Sequence, residues 1–160
     1  EDVALIVFDF DGVFTDDRVW VDQDGHEAVT ASRSDGFGIA MLRKQTKIKM
    51  LVMTLEKNPV VAARCGKLKL DVMQGVEDKK AALEKLLKEN NITAEKVIYV
   101  GNDLNDLPCF ASVGFSVCPA DANSKVKSEA DLVLTRNGGY GAVREICERV
   151  LEKMSRSALK

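Results

Sequence analysis

Apolar and polar residues alternate in blocks along this chain. Short apolar, β-rich runs recur at 3–10 (VALIVFDF), 48–54 (IKMLVMT), 71–74 (DVMQ), 96–101 (KVIYVG), 115–118 (FSVC) and 131–134 (DLVL). Between them, apolar residues spaced three and four apart predict helices near 36–45, 58–69, 78–90, 104–112, 123–129 and 141–154. Strand and helix in regular alternation predict an α/β fold, a Rossmann-like, doubly wound, mostly parallel sheet covered on both faces.

One stretch breaks the alternation. Residues 18–31 (RVWVDQDGHEAVTA) carry two β-prone arms around Asp24-Gly25, a dipeptide that favours a tight hairpin turn, and so predict a two-stranded flap after the first strand. No internal repeat, low-complexity tract or linker interrupts residues 1–160, so a single domain is expected. The final SRSALK is polar and is expected to fray.

Composition narrows the function classes. A chain of 160 residues can bury its own core without disulfides or a structural metal, and 46% apolar with 30% charged residues excludes a disordered chain. A net charge of −2 gives no basic field for nucleic acid or anionic lipid; an anionic substrate would need a local cluster to attract it. No apolar stretch approaches a membrane span and no signal peptide is expected. Cys65, Cys109, Cys118 and Cys147 form no Cys-x-x-Cys pair, which argues against a zinc ribbon or thioredoxin-type site and for reduced thiols in the cytoplasm. The chain begins Glu1-Asp2 without Met, as expected of a trimmed chain or of a piece of a longer polypeptide.

In open α/β sheets ligands collect beyond the carboxyl ends of the strands. The residues there are Asp9, Phe10 and Asp11 after the first strand, Thr54 and Glu56 after the second, Gly75 to Lys79 after the third, and Gly101-Asn102-Asp103 after the fourth. Strand alternation sends Asp9 and Asp11 to one side and Phe10 to the other. Two adjacent carboxylates repel unless a cation or a shared proton compensates. A divalent metal would do so, with Asp103 and Asp106 of GNDLND as further oxygen donors; Mg²⁺ takes a few carboxylates plus water and phosphate oxygens. A single aspartate in such a place would as readily make a turn or cap a helix. Four of them, with a threonine and a lysine, converge on a site.

DFDGVFTD (9–16), a strand ending in Thr54, Lys79 and GNDLND (101–106) match in order and kind the four motifs of the haloacid dehalogenase superfamily of phosphotransferases, and the chain resembles that family throughout its length. The resemblance implies that Asp9 is the nucleophile, that Asp11 is general acid and then base, and that Thr54 and Lys79 hold the transferring oxygens. It also implies Mg²⁺ held by Asp9, Asp103 and the backbone carbonyl of Asp11. The chemistry is consistent. A carboxylate nucleophile divides phosphate monoester hydrolysis into two displacements, and Asp11 can serve both if its pKa is raised. Asp106 is expected to support the metal-binding loop. Lys79 is preferred to Lys80 because Gly75 to Lys79 reproduces a QG-x-x-x-K spacing found in the family.

The gaps between motifs hold only the flap and about one helix and one strand, which leaves no room for a cap domain. An open site would stay wet, so a neighbouring subunit is the expected cover. This capless build resembles the sugar-acid phosphatases acting on 3-deoxy-octulosonate 8-phosphate or on KDN and N-acylneuraminate 9-phosphates, typically homotetramers closed by a neighbour's flap. It also resembles the C-terminal module of bifunctional acylneuraminate cytidylyltransferases. The likeness extends to SRSDGFGI (32–39) and NGGYGAVREI (137–146).

Asn58-Pro59 predicts a helix start, with Val61, Cys65 and Leu68 toward the core and Arg64 and Lys67 on another face. Arg64 and Lys67 read plainly as a solvated cationic strip. In the family, however, Glu56, Arg64 and Lys67 match residues that nine-carbon-sugar phosphatases set around the substrate's carboxylate and polar tail. Eight-carbon enzymes more often carry Gly-Arg where this chain has Leu55-Glu56. A nine-carbon sugar-acid 9-phosphate is therefore the expected substrate, with the octulosonate 8-phosphate or a phosphatase-like oligomerisation module as alternatives. A phospho-accepting signalling receiver is disfavoured because its acceptor aspartate follows the third strand. His26 is expected exposed on the flap, with a neighbour's site as the alternative; Arg33 reads equally as a substrate contact or a surface pairing, Trp20 and Phe37 as packing or a subunit contact, and Gly138, Gly139 and Gly141 as a flexible turn or an ordinary loop.

Overall fold

The structure is a computed structural model that describes residues 3–157. Six strands form one sheet, β1 (Leu5–Phe8), β4 (Lys49–Met53), β5 (Asp71–Met73), β6 (Val97–Val100), β7 (Phe115–Cys118) and β8 (Leu132–Val133), in the order β5-β4-β1-β6-β7-β8. Every pairing in it is parallel. The separate ribbon of β2 (Trp20–Val21) and β3 (Glu27–Ala28) is antiparallel. The helices are α1 (Arg33–Gln45), α2 (Pro59–Leu68), α3 (Lys79–Glu89), α4 (Leu107–Phe110), α5 (Ser124–Glu129) and α6 (Ala142–Ser157).

Side-chain alternation along β1 divides the core into two layers. Ile6 and Phe8 meet Ile39 and Leu42 of α1, Val61 and Cys65 of α2, and Ile146 of α6. Leu5 and Val7 meet Leu83 and Leu87 of α3, Phe110 of α4 and Val126 of α5. Each predicted strand and helix is present, with ends that differ by a few residues. Near 104–112 the single predicted helix is instead a 3-10 turn, Leu104–Asp106, followed by α4 with a proline in its first turn, where the missing N–H costs nothing. Ser155 and Arg156, expected to fray, belong to α6; residues 158–160 of the same stretch lie outside the described residues. The flap forms as expected but turns over residues 22–26, where Asp22 Oδ1 accepts the N–H groups of Asp24 and His26, both at 2.9 Å.

The chain leaves β1 one step before the aspartates. Val13 and Phe14 both donate to the Phe10 carbonyl, so Asp11 lies in a tight turn and not on the strand, and simple alternation does not set its direction. Asp9 keeps the β1 register on the α3 side, while Phe10 joins the layer of α1, α2 and α6. The turn requires Gly12, whose φ is +76° and whose Cα lies so near Asn102 that a Cβ would stand 2.0 Å from its amide nitrogen. Buried Thr15 locks the turn, its Oγ1 accepting from the N–H of Gly12 at 3.1 Å and of Asp17 at 3.2 Å. The glycine loop after β8 backs it: Gly139 N–H donates to the Val13 carbonyl and Gly138 N–H to Asp121.

Phe14 anchors the turn in the core, its ring 5.4 Å from that of Phe8 and 5.9 Å from that of Phe10. Phe14→Ala is expected to cost about 3–5 kcal/mol, read as a lower urea midpoint at unchanged m-value.

Candidate active site

Strand order reverses at β1, whose neighbours β4 and β6 lead away in opposite directions, and a pocket of about 350 Å³ opens over their carboxyl ends. It is lined by Asp9, Asp11, Asp17, Thr54, Glu56 and Lys57, with Asn102 and Asp103 opposite. The floor is a buried ionic cluster. Lys79, first residue of α3 and 4% exposed, places Nζ 3.0 Å from Asp9 Oδ1 and 2.8 Å from Asp106 Oδ1. Asp106 is fully buried and also accepts from the Tyr99 hydroxyl at 2.9 Å and from the N–H groups of Asn102 and Asp103 at 2.9 and 3.2 Å. Lys80 turns outward to Glu84, 3.8 Å away on the exposed face of α3.

One ammonium shared by two buried carboxylates is not enough. Burial, reinforced by the charge of Asp106 and only partly offset by Lys79, pushes the Asp9 carboxyl up to about 7. Burial opposes the charge on Lys79, yet Asp9 and Asp106 together hold its pKa above the usual range. The two results fit because Asp106 makes the shorter contact and Asp9 is left under-compensated. Burial, followed by the charges of Glu56 and Asp17, raises Asp11 to about 6. Asp17 is raised by burial and then by Asp103.

This excess of negative charge suits a hard divalent cation, and the donors are all oxygen. Asn102 strengthens the fit. Its Oδ1 is buried and accepts no hydrogen bond, a costly state for an amide unless something binds there. Asp9, Asp11, Asn102 and Asp103 are the residues that could hold the ion. Asp103 is more exposed and uses Oδ1 to accept the Leu104 N–H at 2.7 Å.

Thr54 is buried at the end of β4, its Oγ1 accepting from the Glu56 N–H at 3.1 Å. Glu56 lines the pocket, with Oε1 accepting from the N–H groups of Lys57 at 2.6 Å and Asn58 at 2.8 Å. Asn58 caps α2 through Val60 N–H and reaches the flap through Glu27, 3.2 Å from its amide nitrogen. Arg64 and Lys67 do not join Glu56 at the pocket. Helix α2 leads away from the site, and six and nine residues of it carry them about 9 and 13 Å along its axis. Arg64 instead donates to the Ser32 carbonyl at 2.9 Å, and Lys67 is exposed.

His26 and Arg33 are exposed, as is Trp20 on the flap; Phe37 lies under Arg144, whose guanidinium is 4.8 Å from the ring centroid. Asp22, Asp24 and His26 bring three potential ligand atoms within 4.8 Å at the flap tip, but the turn's own hydrogen bonds account for that grouping. Sequence reasoning placed Asn102 at a strand end without giving it a role, and did not single out Asp17 or Lys57. Asn102 and Lys57 directly adjoin residues singled out as candidates, and Asp17 follows the first motif by one residue.

Residues 23–146 match the family model described as haloacid dehalogenase-like hydrolase. Over 160 residues the chain is 34% identical to 3-deoxy-D-manno-octulosonate 8-phosphate phosphatase KdsC of Haemophilus influenzae, covering 99% of this chain and 88% of that one. A solved structure from Streptomyces avermitilis, assigned to the HAD family of hydrolases, superposes with a TM-score of 0.91 at 51% identity, covering 94% of this chain and 86% of that one. The octulosonate 8-phosphate phosphatase of Moraxella catarrhalis, solved with magnesium, phosphate and KDO, has a TM-score of 0.89 at 29% identity, covering 99% and 94%. Among the described residues no helix is long and apolar enough to cross a membrane.

The crowded carboxylates predict a pH signature in chelator-treated protein. Asp9 and Asp11 rise in the fold from 3.8 to about 7 and about 6, so from about pH 4 to 7 the native state holds more protons than the unfolded state. Their stabilising contribution is full below about pH 4 and is lost as pH rises through that window. Thermal melts should fall across it, and Asp9→Asn should flatten the slope; an equal slope in the variant would remove the assignment.

Proposed function

The chain belongs to the haloacid dehalogenase-like hydrolases, and from that premise we propose that it is a magnesium-dependent phosphatase acting on the terminal phosphate of a 3-deoxy sugar acid through an aspartyl-phosphate. The observation that carries the reading is the buried Asp9–Lys79–Asp106 cluster beside a pocket crowded with further carboxylates. Mg²⁺ would be held by Asp9, the Asp11 carbonyl and an oxygen of Asn102 or Asp103. When bound, it screens the phosphate charge from the nucleophile and orients the in-line displacement.

The chain's own residues supply the rest. Lys79 and the Phe10 N–H, 2.7 Å away, both engage Asp9 Oδ1 and fix the carboxylate, so Oδ2 is the oxygen that attacks phosphorus. The P–O bond to the sugar breaks as Asp11, whose carboxyl is raised to about 6 by burial, gives a proton to the departing alkoxide. Asp11, now ionised, takes a proton from a water whose oxygen attacks the same phosphorus, releasing phosphate and restoring Asp9. The Thr54 hydroxyl and Lys79 steady the equatorial oxygens, where charge gathers in each transition state.

For the substrate, we favour 3-deoxy-octulosonate 8-phosphate, the compound named for the relatives, over the nine-carbon acids that the Glu56-Arg64-Lys67 pattern suggested. Two members of that pattern stand away from the pocket, and Glu56 alone supports the longer acid as a second reading. Exposed Trp20, at 77% of its full surface, and its neighbours Val19 and Val21 suit a flap that meets another copy of the chain, as in a homotetramer. A cytoplasmic location fits the reduced, buried thiols.

The test is a panel of sugar-acid and neutral sugar phosphates assayed with Mg²⁺. The highest kcat/KM is expected for the octulosonate 8-phosphate; a clear preference for a 9-phosphate would reverse the chain-length assignment, and no hydrolysis at all would end the phosphatase reading. Asp9→Asn is expected to lower kcat by at least about a thousandfold with an unchanged circular dichroism spectrum. Asn102→Asp, which adds charge at the orphaned oxygen, should tighten Mg²⁺ binding by about tenfold in calorimetry; unchanged affinity would exclude Asn102 as a ligand.

A further inference from the structure

A phosphorylated sugar acid brings two anionic groups to a mouth already lined by Asp9, Asp11, Asp17, Glu56 and Asp103. Lys79 cannot serve the carboxylate end, since it is buried between Asp9 and Asp106. Among the described residues lining the pocket, Lys57 alone is cationic.

Its backbone is held on a stiff platform. Gly75 N–H donates to the Glu56 carbonyl at 3.1 Å, Val76 N–H to the Thr54 carbonyl at 3.0 Å, and Gln74 Nε2 to the Asn58 carbonyl at 2.9 Å, lacing the loop after β4 to the loop after β5. The stem of Lys57 lies across Gly75. A Cβ there would stand 3.2 Å from both Cγ and Cε of the lysine, tighter than ordinary contact, and the φ of +64° independently favours glycine. The ammonium is 3.8 Å from Glu77 Oε1, with both side chains largely exposed, a weak pairing that a better-placed anion can replace.

We propose that Lys57, guided over Gly75 at the pocket mouth, is the specificity-determining cation that receives the carboxylate of the sugar acid. The proposal rests on the sugar-acid phosphatase reading and adds to it the residue that separates acidic from neutral sugar phosphates. With its stem seated over Gly75, the lysine has less freedom to lose on binding than an unsupported one. A cation that meets the carboxylate and not the reacting phosphate acts in binding, so its effect falls on KM more than on kcat.

The experiment compares 3-deoxy-octulosonate 8-phosphate with D-arabinose 5-phosphate, which lacks the carboxylate, in wild type, Lys57→Met, Lys57→Arg and Gly75→Ala. Lys57→Met is expected to lower kcat/KM for the acid about tenfold, chiefly through KM, and for the neutral sugar less than twofold. Lys57→Arg should recover most of the loss, and Gly75→Ala should reproduce part of it at a melting temperature that shows a folded protein. Equal losses on both substrates, or no loss on the acid, would overturn the proposal. If wild type hydrolyses both without preferring the acid, carboxylate recognition is overturned while the phosphatase reading stands; if it hydrolyses neither, that reading falls and this one with it.

Discussion

The site depends on a single ammonium. Lys79 starts α3, Asp9 follows β1 and Asp106 follows β6, so the two contacts of Nζ tie the start of a helix to the loops beyond two paired strands. Inside the protein an isolated charge of either sign is severely penalised, and breaking such a cluster by removing one partner costs more than any surface pair. Asp106 makes the arrangement durable because its two oxygens accept from four donors, among them the N–H groups that shape the GNDLND loop. The residue expected only to support a loop is the centre of the cluster. Asp9 is left fixed but under-compensated, which is what the nucleophilic role proposed for it requires.

The fold was legible because its signals are local and repeated. Apolar blocks alternated with helical spacing, Asn58-Pro59 marked the start of α2, and Asp24-Gly25 marked the flap. Ends were harder to read. β1 stops at Phe8, although Asp9 and Phe10 look like its continuation, because the hydrogen bonds that turn the chain at Phe10 depend on Thr15 and Gly12 further along and on a glycine loop more than a hundred residues away. Period-two alternation predicted Asp9 and Phe10 on opposite sides correctly and then ceased to apply.

The candidate site was legible where chemistry attaches to residue type, as with the paired aspartates, Thr54 and Lys79. It was less so where position in space decides. Arg64 and Lys67 match substrate ligands of nine-carbon-sugar phosphatases by family resemblance, but about two turns of helix separate them from the pocket lining and Arg64 donates to the Ser32 carbonyl. Conversely, nothing in the sequence gives Asn102 or Lys57 a role. One is conspicuous only because its buried oxygen lacks a partner, the other only because a glycine elsewhere makes room for its stem.

The sheet itself limits how copies of this chain can meet. Its two outer strands, β5 and β8, are only three and two residues long. Each therefore offers little unpaired backbone for another strand to extend, which is one way that proteins avoid open-ended polymerisation. Any contact between copies would then rest on side chains and not on strand addition, which works against growth into a fibre.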